Sequence, residues 1–146
     1  MEDNDLTVRE ALIQTLDQSP QEFELMKRDF KRASDAFDLA HDQDGLQIVR
    51  DDIVPRMQAL IGFCLSIYEY HLNILGKEYA EDFCARTVQL NSLMEKISKE
   101  TENGNFTEVG DILRFDFYDF INDMNMFFQK IRPVFAESSD PRLDMK

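Results

Sequence analysis

Apolar residues recur at spacings of three and four along most of this chain, the period of helices that pack on one side. The plainest run is Phe23, Met26, Phe30, Ala33, Phe37 and Ala40. It predicts a helix from Pro20 to about His41. Ser19-Pro20-Gln21-Glu22 supplies its start signal: a serine cap, proline at the first position and glutamate at the third. Before it, Thr7 and Glu10 form a capping-box pattern ahead of Val8, Leu12, Ile13 and Leu16. That predicts a separate short N-terminal helix ending near Asp17.

After the break His41-Asp42-Gln43-Asp44-Gly45, the stripe Val49, Ile53, Met57, Leu60, Cys64, Ile67, His71 and Ile74 predicts a helix over 46–75. Pro55 must bend it or shift its start, and Gly76 is a C-cap. Phe63 and Tyr70 widen its face, which suggests a central position. Tyr79, Phe83, Leu90, Leu93 or Met94, and Ile97 predict the next helix, over 78–102, stopped by Asn103-Gly104. Asn105 and Glu108 offer a capping box for the last, whose stripe is Val109, Leu113, Phe117, Phe120, Met124, Phe127 and Ile131.

No segment alternates like a strand. The reading is an all-α antiparallel up-and-down bundle of four long helices plus a short N-terminal helix. One domain is expected over 1–136, with a flexible tail over 137–146. A faint echo runs through it: Gly45 and Gly104 each stand seven residues before an acid followed by two aliphatic residues, Asp52-Ile53-Val54 and Asp111-Ile112-Leu113. Duplication of a helical hairpin would produce it. A glycine turn followed by an acidic first turn also arises for local reasons.

Composition narrows the partners. The chain has 146 residues and a formal net charge of -13, with 43% hydrophobic residues. That hydrophobic content supports a real core. The charge repels phosphate backbones and anionic lipid, so nucleic acid and membranes are poor partners. The opening MEDNDLTVRE lacks the basic-then-apolar layout of a secretory leader, so none is expected. Cys64 and Cys84 read as free thiols in a reducing compartment, which makes the cytoplasm the default address.

Catalytic and metal motifs are missing. Neither His41 nor His71 belongs to an HExxH or Glu-x-x-His pattern. His71 lies on an apolar stripe and reads as a satisfied core histidine. Cys64 and His71, seven apart on one helix, sit about 10 Å apart along its axis, too far to work together. Asp42-Gln43-Asp44-Gly45 lacks the downstream glutamate of a calcium loop. No cofactor or metal is expected, and the chain reads as a non-enzyme.

The surplus lies in the last segment. Half of the chain's phenylalanines and tyrosines fall between Phe106 and Phe135. Phe115 and Tyr118 fall off its core stripe, and Phe128 and Phe135 widen the other side. Together with Phe63 and Tyr70 they could form one shared aromatic patch for a protein partner or a second copy of the chain. Asp111 reads as solvent-facing and Asp116 as a border acid, for which Arg50, Arg56 or Arg114 could supply a charge.

The run Val109-Gly110-Asp111-Ile112-Leu113-Arg114-Phe115-Asp116-Phe117 resembles the last-helix signature of small uncharacterised bacterial helical-bundle proteins. Asp111, Ile112-Leu113 and Phe115-Asp116-Phe117 take the signature places. Tyr118 and Asp119 stand where that signature has a proline. The resemblance covers about a fifth of the chain, implies a bacterial origin and carries no activity. The leading expectation is a non-enzymatic interaction or scaffolding bundle that forms dimers. A groove-type chaperone or peptide-binding bundle is the alternative, and a small carboxylate-based enzyme comes after it.

Overall fold

Thr7 caps the first helix, α1, which runs Val8–Asp38. Its hydroxyl accepts from the Glu10 amide at 3.1 Å, and the Glu10 carboxylate accepts from the Thr7 amide at 3.1 Å. The expected restart at Ser19-Pro20 does not occur, and the two anticipated helices are one. Pro20 has no N–H for the carbonyl of Leu16, four residues back. The buried Ser19 hydroxyl donates to that carbonyl instead, at 2.7 Å. Leu16, Ser19 and Phe23 stay on one buried face, so the core holds the helix through the proline. Serine here repairs a helix rather than starting one.

The computed structural model describes residues 5–146. Residues 1–4, the start of the expected domain, lie outside the described residues. Helix α2, Asp42–Ile48, passes through a π-helical segment, Val49–Ile53, into α3, Val54–Tyr70. The wide turn lies just ahead of Pro55, whose ring and missing N–H oppose a regular turn there. His71 then breaks the helix, a single turn α4 spans Leu72–Leu75, and Gly76 turns the chain at φ 84°. The second half follows the same plan. Helix α5, Lys77–Glu102, leads to α6, Phe106–Asp111, a second π segment, Ile112–Phe117, and α7, Tyr118–Glu137. Asn105 does not cap α6 with its side chain; its amide donates to the Glu100 carboxylate at 2.7 Å.

The two hairpins superpose in sequence at a spacing of sixty-four residues. Ala40 at φ 62° and Gly104 at φ 73° occupy the same left-handed position. The His41 amide donates to Ala36 O at 2.8 Å, and the Asn105 amide to Glu100 O at 2.9 Å. Beyond the turn, Arg50, Asp52, Phe63 and Ile67 recur as Arg114, Asp116, Phe127 and Ile131. The glycine echo seen in the sequence has a different spacing, fifty-nine, and does not mark this register. Gly45 is instead fixed by packing: a Cβ there would fall 2.6 Å from the Phe37 ring.

The described residues contain no strand, and the fold is an all-α bundle with four long helical arms. Its most extensive helix pair is α1 with α7. The central place expected for the third segment therefore belongs to the α1–α7 pair, in which Phe120, Ile121, Met124, Phe127, Ile131 and Phe135 of α7 are all enclosed. The tail, expected to be flexible, packs back on the bundle. Leu143 on a 3-10 turn, Pro141–Asp144, is fully buried. The Val8 amide, unsatisfied within α1, donates to Met145 O at 2.8 Å. Arg9 adds an ion pair to Asp144 at 3.3 Å.

Candidate functional site

The second π segment displaces the side chains of the last arm from a regular helical wheel. It buries Ile112, Leu113 and Phe117 and turns Phe115 outward. Phe115 is 57% exposed and Tyr118 42% exposed. They wall an open groove with the polar side of α1, where Glu24, Lys27, Arg28 and Lys31 stand opposite. The Lys27 ammonium lies 5.2 Å from the centre of the Tyr118 ring, in cation–π contact. It also pairs with Glu24 at 3.1 Å. Lys31 pairs with Asp35 at 2.8 Å. That hydrogen bond holds the Asp35 carboxyl below its usual range. Arg114 closes the groove's end on Asp38 at 2.6 Å and Asp35 at 3.4 Å, and the Asp38 bond raises its pKa. Arg28 has no ion-pair partner among the described residues and projects beside the aromatics. The groove thus combines two aromatic faces with an available cation, on a protein that is strongly acidic elsewhere.

The other expected aromatics separate from this pair. Phe128 is not a surface residue: it is 2% exposed, with ring contacts to Phe23 and Phe63, each at 5.6 Å. The wide aromatic flank of α7 is core because α1 and α3 both reach it. Phe135 is likewise buried. Phe63 is half-buried and lines a separate cleft of about 350 Å³ between α1 and α3, floored by Phe128 and Phe23. Tyr70 is exposed beside His71 and lines neither cavity. The single patch anticipated from the sequence does not form.

Among the polar candidates, Asp116 is exposed and reaches Lys96 on α5 at 3.4 Å. Asp111 is half-buried and makes no ion pair among the described residues. His71 is not satisfied: its buried Nδ1 has no hydrogen-bond partner. Its ring stands edge-on to Phe135 at 6.3 Å. Burial lowers its pKa below 6.5, Arg142 lowers it further, and Asp140 opposes them. Cys64 and Cys84 are free thiols. Burial pushes the Cys64 thiol up to about 12, which keeps it protonated and unreactive.

Sequence reasoning missed Asp29. It lies on the buried face of α1 between Met26 and Phe30. Arg32 meets it at 3.0 Å, and Arg56 from α3 at 3.4 Å. The signal was present: one acid on an apolar stripe with an arginine three residues on. Arg56 also reaches Glu22 at 2.6 Å, and Arg32 reaches Asp52 at 3.4 Å. The set ties α1 to the first π segment and α3. Of the arginines expected to serve border acids, Arg56 and Arg114 do so, whereas among the described residues Arg50 meets only its neighbour Asp51. Arg86 joins α5 to α7 through Asp123 at 2.7 Å.

Among the described residues no group of three or more His, Cys, Asp or Glu side chains is placed to hold a metal ion. No helix among them is long and apolar enough to cross a membrane. No protein-family profile, curated protein or solved structure matches the chain.

Proposed function

We propose that this chain is a non-enzymatic interaction bundle that binds a helical segment of another protein in the groove between α1 and the last arm. The observation that carries this reading is the exposure of Phe115 and Tyr118 beside the unpaired Arg28. Aromatic residues and arginine dominate binding energy at protein interfaces. An amphipathic helix laid in such a groove sets apolar anchors on the two rings. An acidic residue on its flank meets Arg28. Of the other groove charges, Glu24, Lys27, Lys31, Asp35 and Arg114 are paired within the protein, and the exposed Asp119 adds a carboxylate that keeps the partner's acid on the Arg28 side.

The reading is tested by peptide selection on immobilised protein, with a Phe115→Ala/Tyr118→Ala variant as counter-target. The expected result is enrichment of helix-forming peptides with two spaced apolar residues and an acidic flank. Their binding falls at least tenfold in Arg28→Glu. Selection that yields no such peptides, or peptides indifferent to all three substitutions, would remove the groove as a binding site.

A further inference from the structure

The second hairpin fills the space between its two arms with aromatic rings, and the first leaves the same space open. In the second, Phe127 of α7 is 1% exposed. It meets Tyr79 at 6.4 Å and Phe83 at 6.2 Å, both from α5. The Arg86 guanidinium lies 4.9 Å from the centre of its ring. At the spacing of sixty-four residues, Phe63 takes the place of Phe127, and Thr15, Ser19 and Glu22 take those of Tyr79, Phe83 and Arg86. The core keeps step with this register: Ser19, Met26 and Ala33 are buried on α1 as Phe83, Leu90 and Ile97 are on α5. Two rings are therefore missing beside Phe63. It is half-buried, and among the described residues it meets one ring, Phe128, at 5.6 Å. The cleft of about 350 Å³ between α1 and α3 lies where those rings would stand.

The walls narrow the chemistry that fits. The Thr15 and Ser19 hydroxyls are turned back on α1, donating to Ala11 O at 3.0 Å and Leu16 O at 2.7 Å. The two charges at the mouth belong to ion pairs within the protein: Arg56 reaches Glu22 at 2.6 Å and Asp29 at 3.4 Å. A charged ligand would find no unpaired counter-charge in the lining and would be desolvated against the rings. Gln18, also at the mouth, makes no side-chain hydrogen bond among the described residues, and its amide can donate or accept. Small-molecule sites have this make-up: clefts of about 300–1,000 Å³, mostly apolar and aromatic, with few polar groups. None of the large exposed apolar side chains borders the cleft, so it lacks the apolar surround of a protein interface.

We propose that the cleft between α1 and α3 binds a small uncharged aromatic molecule, of two fused rings with one hydrogen-bonding substituent. Its rings supply what Tyr79 and Phe83 supply in the second hairpin. They lie offset or edge-on to Phe63, as ring pairs prefer, and cover that ring as Phe127 is covered. The substituent reaches the Gln18 amide at the mouth.

The site is independent of the groove, and titration calorimetry with indole and 2-naphthol at neutral pH tests it. One-to-one binding is expected, with a dissociation constant below about 1 mM. 2-Naphthoate, which carries a charge on the same rings, binds at least tenfold more weakly. Thr15→Tyr puts the ring of Tyr79 into the cleft, so binding falls at least tenfold while the melting temperature holds or rises. Phe63→Leu keeps an apolar side chain but removes the ring, and binding falls severalfold. Phe115→Ala/Tyr118→Ala leaves it unchanged. Failure of both probes to bind saturably up to their solubility overturns the proposal. So does binding that Thr15→Tyr and Phe63→Leu leave intact, or that the groove variant abolishes. A melting temperature lowered by Thr15→Tyr would contradict the shared register on which the cleft is read. Equal affinity for 2-naphthoate would overturn the uncharged ligand. Binding of a tryptophan-bearing peptide but not of indole would overturn the small molecule in favour of a protein partner.

Discussion

Asp116 lies 3.4 Å from Lys96, and the same contact joins Asp52 to Arg32 at 3.4 Å one hairpin earlier. In each case an acid inside a π segment reaches back to a cation on the preceding long helix. The second helix of each hairpin is thereby fixed in rotation as well as by its apolar stripe. Both pairs are at least partly exposed, so each contributes little free energy by itself. Their value is as a marker of register, since they recur with the turn geometry and the core positions.

That register predicts the effect of changing one turn. Ala40 adopts φ 62°, where a Cβ is strained, and its counterpart Gly104 at φ 73° is not. Ala40→Gly is expected to stabilise the fold by up to about 1 kcal/mol, after glycine's larger entropy loss is subtracted. Gly104→Ala is expected to destabilise it by about 1 kcal/mol or more. Urea unfolding followed by circular dichroism measures both. Two changes of the same sign would contradict the shared left-handed turn.

The buried carboxylate of Asp29 makes a second prediction. Arg32 and Arg56 hold it from two elements. Removing both, in Arg32→Ala/Arg56→Ala, leaves a buried charge without a partner and should cost about 3–5 kcal/mol. Asp29→Asn should cost clearly less and should recover stability when added to the double variant. Denaturation midpoints decide the order. If Asp29→Asn proves as costly as the double variant, the cluster does not act through charge.

How much of this was legible in the sequence follows from where the physics is local. The period of three and four residues fixed the helices because each long arm buries one stripe. The Thr7–Glu10 cap is a local motif and forms as read. Pro20 misled because the hydroxyl that repairs its helix points into the core, a tertiary circumstance. The first π segment lies just ahead of Pro55, but the second, Ile112–Phe117, has no proline beside it and no mark in the hydrophobic pattern. They also explain the candidate site. Phe115 and Tyr118 were recognised as off-stripe, yet Phe128 was assigned outward because a regular wheel places it at an edge that α3 covers.

His71 takes the position that Phe135 takes in the second hairpin, and its Nδ1 is buried without a partner. Its lowered pKa fixes the direction of a pH effect. Below pH 6.5 the unfolded chain binds the proton before the folded one does. The contribution is thus complete above the unfolded value and is lost as pH falls toward the folded one. Stability should decline on acidification below pH 6.5, and His71→Phe should flatten that decline in denaturant titrations. A decline that is unchanged in His71→Phe would assign the effect to other groups.

The repair of α1 at Pro20 yields the most specific prediction, because it couples two adjacent residues. Ser19→Ala removes the hydroxyl that donates to the Leu16 carbonyl, left by Pro20 without its helical partner, at a buried position. A buried carbonyl without a partner costs about 1–3 kcal/mol. Pro20→Ala restores an N–H that can donate to the same carbonyl, and it removes the ring that crowds it. In that background the Ser19 hydroxyl becomes redundant. Ser19→Ala should therefore be costly alone and nearly silent with Pro20→Ala, giving a coupling energy of about 1 kcal/mol or more in a double-mutant cycle. Amide exchange adds a second readout: Asp17, Gln18 and their neighbours in α1 should lose protection in Ser19→Ala and regain it in the double variant. Additive effects in the cycle would mean that α1 is held through Pro20 by packing alone.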